Sequence, residues 1–187
     1  MRLYGLALFV HILGVIAMFA GFSMQQRAGS RLRRAKTRTE AHPWAEVLDM
    51  TRVMPPSGAV MVLITGAYLS TRFSARGAPT WIIVAVIAAL LIGTVAITIV
   101  NRDFKGIAAA VAASEGSLSP DAAARIARPR TWSAHGMANG AALGAIWLMT
   151  MKPGPLEAWL AVLLPAGLGA IAGARLGGAA HGRRAIV

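Results

Sequence analysis

The sequence predicts an all-α fold: a polytopic membrane bundle of five transmembrane helices, in which four helices form a core and the fifth packs on it. Of its 187 residues 56% are hydrophobic and only 14% are charged, a composition outside the range of soluble domains. The apolar residues form five runs, each near the length that a helix needs to cross about 30 Å of hydrocarbon. Together they predict a single transmembrane domain over residues 1–187. The five runs are residues 3–24, 55–71, 81–100, 132–151 and 156–174.

The distribution of Lys and Arg predicts the orientation. Only Arg2 precedes the first run, and a dense basic group follows it. A secretory signal has the opposite charge order and a cleavage site, so we expect this segment to be retained. Fifteen Lys and Arg lie in residues 25–54, residues 101–131 and the carboxyl-terminal tail, against four in the remaining segments. The positive-inside rule therefore places the amino terminus outside and the carboxyl terminus in the cytoplasm.

Two basic connections are predicted on the cytoplasmic side. Residues 25–53 are expected to be amphipathic or extended, and residues 101–131 to hold one short helix at 120–127 after a Ser or Asp cap. Neither is expected to form a folded domain that could hold a nucleic-acid duplex, so the net charge of +12 is interpreted as topological. The expected partners are the lipid bilayer and a second copy or another membrane protein, with no nucleic acid.

Glycines recur at every fourth position of the last two runs. This spacing makes a flat strip along one helix face, where a neighbouring backbone can approach closely. We therefore predict that the fourth and fifth spans pack as an antiparallel pair. Space for a flat cofactor is the alternative use of the strips. The glycines are Gly136, Gly140 and Gly144 in the fourth span and Gly169, Gly173 and Gly177 in the fifth.

Polar side chains inside the spans are the candidate functional residues, because burying them in hydrocarbon is costly. His11 is predicted near the middle of the bilayer. His135 and Asn139 share one side of the fourth span, close to the cytoplasmic surface. The two histidines lie about 13 Å apart along the membrane normal at 1.5 Å per residue. Two imidazoles on one metal ion would bring their nitrogens within about 4 Å of each other, so a bis-histidine site is not favoured.

A site built on His11 alone remains open. A haem could take His11 as its ligand, with Tyr68 at a similar depth and Gly144 leaving room for the porphyrin. Copper could take His11 together with Met18, which lies on the same face two turns later. The alternative is that His11 is a structural residue that hydrogen-bonds Tyr68 or a backbone carbonyl. Cysteine is absent, so thiolate sites are excluded, and no catalytic signature predicts an enzyme.

Three segments resemble an uncharacterised bacterial family of small predicted integral membrane proteins. They are FVHILGVIAMFAG at 9–21, PPSGAVMVLITGAYL at 55–69 and WLMTMKPG at 147–154. The first helix is also similar to that of copper-resistance D-type membrane proteins and of the haem-binding protoporphyrinogen oxidase of bacteria. The resemblance implies the bacterial inner membrane, a four-helix core and contact of His11 with haem or copper. It is carried by His11, Gly14, Thr65, Gly66, Lys152 and Pro153.

Three functions follow as alternatives. The first is the binding of a haem-like or metal cofactor through His11, or assistance to a membrane redox partner. The second is a non-catalytic structural or accessory subunit, in which the histidines only hold the core together. The third is a small-solute transporter, which is less favoured because the sequence shows no inverted repeat and no carboxylate in the middle of a span. The longer connections make the cytoplasmic side the expected contact surface.

Overall fold

The computed structural model describes residues 2–73 and 77–182, with only the backbone described for residues 178–182. These residues form eight α-helices and no strand, which confirms the predicted helical bundle. The π-helical segment Ala96–Val100 joins the fourth helix to the fifth without a break. The helices are α1 (Arg2–Leu32), α2 (Arg38–Thr51), α3 (Met54–Ser70), α4 (Thr80–Val95), α5 (Asn101–Ala112), α6 (Pro120–Ile126), α7 (Pro129–Met151) and α8 (Pro155–Gly182).

Within residues 2–73 and 77–182, four helical segments are long and apolar enough to cross a membrane. The predicted fourth span corresponds to α7, which is not among them because glycines, His135 and Asn139 make it less apolar. Its 23 residues extend over about 35 Å, and α4 and α8 both pack on it, so less of its surface needs to suit lipid. Five spans, and their orientation, remain predictions. The four segments are Arg2–Leu32, Arg38–Ser70, Thr80–Ala112 and Pro155–Gly177.

Two glycine-mediated helix pairs form the bundle, and α4 lies between them. In the first pair, α1 and α3 approach where a Cβ on Gly14 would lie 3.0 Å from the Gly58 carbonyl oxygen. At Gly21 a Cβ would lie 2.8 Å from Cδ of Pro55. Real Cβ atoms essentially never come as close as the contact at Gly21, so this position requires glycine at the present helix separation, whereas a Cβ on Gly14 would need its neighbours to move by a few tenths of an ångström.

The second pair, α7 and α8, makes the most extensive contact in the structure. Its two backbones are so close that a Cβ on Gly136 would overlap the Gly169 carbonyl oxygen, and one on Gly140 would overlap the Pro165 carbonyl oxygen. Lys152 ends α7 in the left-handed conformation, at φ 49°, and a three-residue turn starts α8. The remaining glycines of both predicted strips, Gly144, Gly173 and Gly177, also face the partner helix.

The two basic connections form helices that pack together. The carboxyl-terminal part of α1, from Gln25 onward, packs with α2, α5, α6 and the start of α7 around a core that is apolar and fully enclosed. We call this layer the basic cap. The predictions of an amphipathic or extended segment at 25–53 and of one short helix within 101–131 did not include this common core, which is possible because helices that are charged on one face can still bury the other. Its largest buried side chains include Leu32, Leu48, Phe104, Ile107, Ile126 and Trp132.

Local sequence explains the cap's helix ends. Thr37 accepts a hydrogen bond from the Glu40 N–H at the start of α2, and Ser119 accepts one from the Ala122 N–H at the start of α6. The short helix predicted at 120–127 is thus present with a serine cap. The loops before these helices pair with each other, since the Leu118 N–H donates to the Lys36 carbonyl at 3.1 Å. The cap is therefore tied together across its two halves.

We expect Gly140→Ala to lower the free energy of unfolding by about 1–3 kcal/mol, because the new methyl group must push α7 and α8 apart. Gly167→Ala is the matched control, since a Cβ there meets nothing within 4 Å and should cost nothing or stabilise the helix slightly. The free energy of unfolding of each variant is measured in mixed micelles with increasing sodium dodecyl sulfate. Equal stabilities of the two variants would contradict the close contact between α7 and α8.

Candidate functional site

His11 is held by α3. The Thr65 hydroxyl donates to the Met61 carbonyl oxygen at 2.6 Å, so it accepts from Nδ1 of His11 at 3.0 Å. The imidazole lies over Gly66, where a Cβ would be 3.3 Å from its Cε1 atom. This arrangement places the ring proton of neutral His11 on Nδ1 and leaves the lone pair on Nε2.

The residues predicted to share a site with His11 do not converge on it. Tyr68 is 39% exposed, and the hydrogen-bond partner of the imidazole is Thr65 instead. Met18 packs against Gly58 of α3. Gly144 was expected to leave room beside His11, but a Cβ there would overlap the Ala161 carbonyl oxygen of α8. Gly144 therefore lies against α8, as the predicted pairing of the two glycine strips requires, and it leaves no room for a porphyrin beside His11.

His135 lies far from His11, where the bundle meets the basic cap. Its ring is 1% exposed and is surrounded by the rings of Phe22, Phe104 and Trp132, with centroid distances of 5.6, 5.9 and 6.2 Å. Neither ring nitrogen has a hydrogen-bond partner among the described residues. Asn139, one turn along α7, is half-buried. The two residues predicted to lie side by side therefore differ sharply in burial.

Other buried polar atoms without partners lie at the same end of the bundle. Gln25 donates to the Thr51 carbonyl oxygen at 2.9 Å, but its own Oε1 has no partner among the described residues, and the same holds for Oδ1 of Asn101 and Nη1 of Arg33. Asn101 directly follows the π-helical segment. Such atoms cost free energy where they are not satisfied, and they often mark functional regions. The junction between bundle and cap is thus the second candidate region.

Arg33 is the charged member of this group. Its guanidinium carbon lies 4.5 Å from the centroid of the Trp132 ring. Burial, and to a smaller extent the neighbouring Arg34, lowers the pKa of Arg33. Trp132 is itself fixed, because its Nε1–H donates to the Ile126 carbonyl oxygen at 2.7 Å. Sequence reasoning counted Arg33 only as one of many topological charges.

Comparison with known proteins gives one match. The model of a family described as predicted integral membrane protein (DUF2269) matches residues 6–153. These residues include the His11, Thr65 and Gly66 cluster and end just after α7, so α8 lies outside the match. No curated protein and no solved structure matches significantly.

We expect His135→Leu to leave the free energy of unfolding unchanged or to raise it by about 1 kcal/mol, because it removes two unpartnered polar atoms and keeps a similar volume. His135→Ala should instead lower it by about 2–4 kcal/mol by opening a cavity. His42→Leu, at the half-exposed His42, controls for a change in surface polarity. A loss above about 2 kcal/mol in His135→Leu would show that the ring nitrogens make stabilising polar contacts.

Proposed function

Since the chain belongs to the DUF2269 family of predicted integral membrane proteins, we propose that it is a non-catalytic accessory protein of the bacterial inner membrane. The basic cap is its contact surface for a partner protein. The observation that supports this is the enclosed apolar core of the cap, which gives the chain a rigid surface beyond the bundle. At the opposite end, the α7–α8 turn of residues 152–154 offers little area for docking.

Charge indicates what kind of partner fits. Within the described cap, Asp49, Asp103 and Asp121 each pair with an arginine of the same layer. Many other basic side chains have no ion pair with any described residue, so the cap carries an excess of positive charge. An acidic protein surface would complement it, with binding that weakens as salt is added. The unpaired basic residues are Arg27, Arg31, Arg34, Lys36, Arg38, Arg102, Lys105 and Arg130.

The positions of the histidines agree with an accessory function. His11 links α1 to α3 through Thr65, and His135 is enclosed in the core. Among the described residues, no three His, Asp or Glu side chains gather as they would around a metal ion. Transport is the weaker alternative, because Glu157, the carboxylate inside the predicted span 156–174, lies in the first turn of α8 rather than at mid-membrane.

Site-specific photocross-linking in cells tests the accessory function. A photoreactive residue at Thr39 or Ala124, both exposed on the cap, should give a discrete adduct with a second protein. The same residue at Met151, which is 64% exposed at the opposite end of α7, should give none. The adduct should disappear in cells that carry Arg38→Glu and Lys105→Glu together, because these changes reverse charge on the contact surface. No adduct from either cap position would overturn the proposal.

A second function is favoured by one contact, the hydrogen bond between Nδ1 of His11 and the Thr65 hydroxyl, because a proton on Nδ1 leaves the lone pair on Nε2. A hydrogen bond from the other ring nitrogen is the usual support of a metal-ligating histidine, so His11 itself fits a haem or copper ligand. The rest of the predicted set does not fit, since Met18, Gly144 and His135 are all packed against other groups. A cofactor on this chain would therefore have His11 as its one ligand from the described residues.

Absorption spectra of protein purified from haem-replete cells in mild detergent, together with metal analysis, decide between these functions. The accessory function predicts no Soret band and no stoichiometric metal in the wild type, in His11→Ala or in Thr65→Val. A Soret band that His11→Ala abolishes and Thr65→Val shifts would establish the cofactor function instead. Thr150→Val is the control, because Thr150 bonds only carbonyl groups of its own helix.

A further inference from the structure

We infer that Arg33 binds the phosphate group of an anionic phospholipid, where the bundle meets the basic cap. This inference is independent of the proposed accessory function, since it concerns a lipid of the surrounding leaflet and not a protein partner. It depends on three properties of Arg33: the fixed position of its guanidinium, the absence of an anionic partner among the described residues, and its depth in the membrane.

The guanidinium of Arg33 is held in a defined position. It lies over the Trp132 ring at 4.5 Å, and that ring is fixed by its hydrogen bond to the Ile126 carbonyl. Gly29, one turn before Arg33 on α1, makes room for the ring, because a Cβ there would overlap the outer edge of the indole. A cation stacked on an aromatic face keeps its edge free for hydrogen bonds. Arg33 is therefore prearranged for an anion, unlike the arginines that extend into solvent.

The described residues supply no anion to this cation. Nη1 of Arg33 is enclosed and has no hydrogen-bond partner among them, while the residue as a whole remains partly exposed. Asp49, Asp103 and Asp121 are engaged by other arginines. A partly desolvated guanidinium without a counter-charge is destabilising. Because its charge is delocalised, an anion at the open edge would compensate the enclosed nitrogen as well.

The depth of Arg33 matches a lipid headgroup. Arg33 lies nine residues after Met24, the end of the predicted first span, which is about 13 Å along the helix. One headgroup layer is about 5–8 Å thick. Helix tilt shortens this distance along the membrane normal, and the side chain reaches back along α1 to the Trp132 ring, which brings the guanidinium to the level of the phosphates. Phosphodiester oxygens are the most abundant anions at this depth, and the planar guanidinium can bind two of them at once.

Binding of phosphatidylglycerol to the full-length protein in zwitterionic detergent micelles tests the inference, with the thermal midpoint of unfolding as readout. Phosphatidylglycerol should stabilise the wild type in a saturable manner. Arg33→Gln should weaken the apparent affinity at least fivefold. Arg34→Gln, which removes the same charge from the exposed neighbouring residue, should change it less than twofold. Arg33→Lys keeps the charge but loses the planar guanidinium, so its apparent affinity should lie between those of Arg33→Gln and Arg34→Gln.

The same titration with inorganic phosphate and with glycerol 1-phosphate separates a lipid from a soluble source. Neither should stabilise the wild type at millimolar concentration. Stabilisation by the soluble phosphates equal to that by the lipid would overturn the lipid assignment. If Arg33→Gln and Arg34→Gln lose the same apparent affinity for phosphatidylglycerol, the lipid is attracted diffusely to the basic cap. That result would overturn the proposed site at Arg33. Circular dichroism of each variant without lipid verifies that Arg33→Gln is folded. If Arg33→Gln is not folded, the apparent affinities of Arg33→Lys and Arg34→Gln are compared instead. A weaker affinity in Arg33→Lys than in Arg34→Gln supports the site, and equal affinities overturn it.

Discussion

The close contact between the backbones of α7 and α8 is the constraint on which the rest of the structure depends. In a bilayer the hydrophobic effect does not drive helices together, so association relies on van der Waals contact over closely fitted surfaces. The six glycines of this pair remove the side chains that would keep the two backbones apart. With one face of α7 closed against α8, its other side contacts α4 and projects Trp132 and His135 toward α1 and α5. The same helix, α7, therefore also forms the junction between the bundle and the cap.

The cap extends from helices of the bundle and is not a separate domain. α1 is 31 residues long, about 46 Å, and α4 continues through the π-helical segment into α5. Both exceed the thickness of the hydrocarbon, so their ends project beyond it and α2 and α6 pack between them. Because the helices are continuous, the position of the cap is coupled rigidly to the bundle. This continuity also holds Arg33 at a constant position relative to α1 and α7.

The sequence predicts the helical bundle better than it predicts the polar contacts within it, for physical reasons. Hydrophobic run length and glycine spacing depend on local chemistry, and the α7–α8 pairing follows from both. The common core of the cap was not predicted although Phe104, Ile107 and Val111 already show helical periodicity, because their burial depends on contacts between segments that are far apart in the sequence. The His11–Thr65 bond could not be derived, since threonine in a helix usually bonds its own backbone and no local signal marks a second partner. The surroundings of Gly144 depend on tertiary packing alone.

The π-helical segment Ala96–Val100 also constrains how the chain can change over time. A segment of this kind holds one residue more than a regular helix of the same course, and each residue turns the following side chains by about 100°. The wide turn absorbs that extra residue, so α4 and α5 keep the relative orientation they would have in a regular helix that is one residue shorter. Removing a single residue between 96 and 100 would therefore leave a regular helix with Phe104 still facing the core of the cap. The same deletion in the regular turns of α4 or α5 would instead rotate everything that follows it by about 100°.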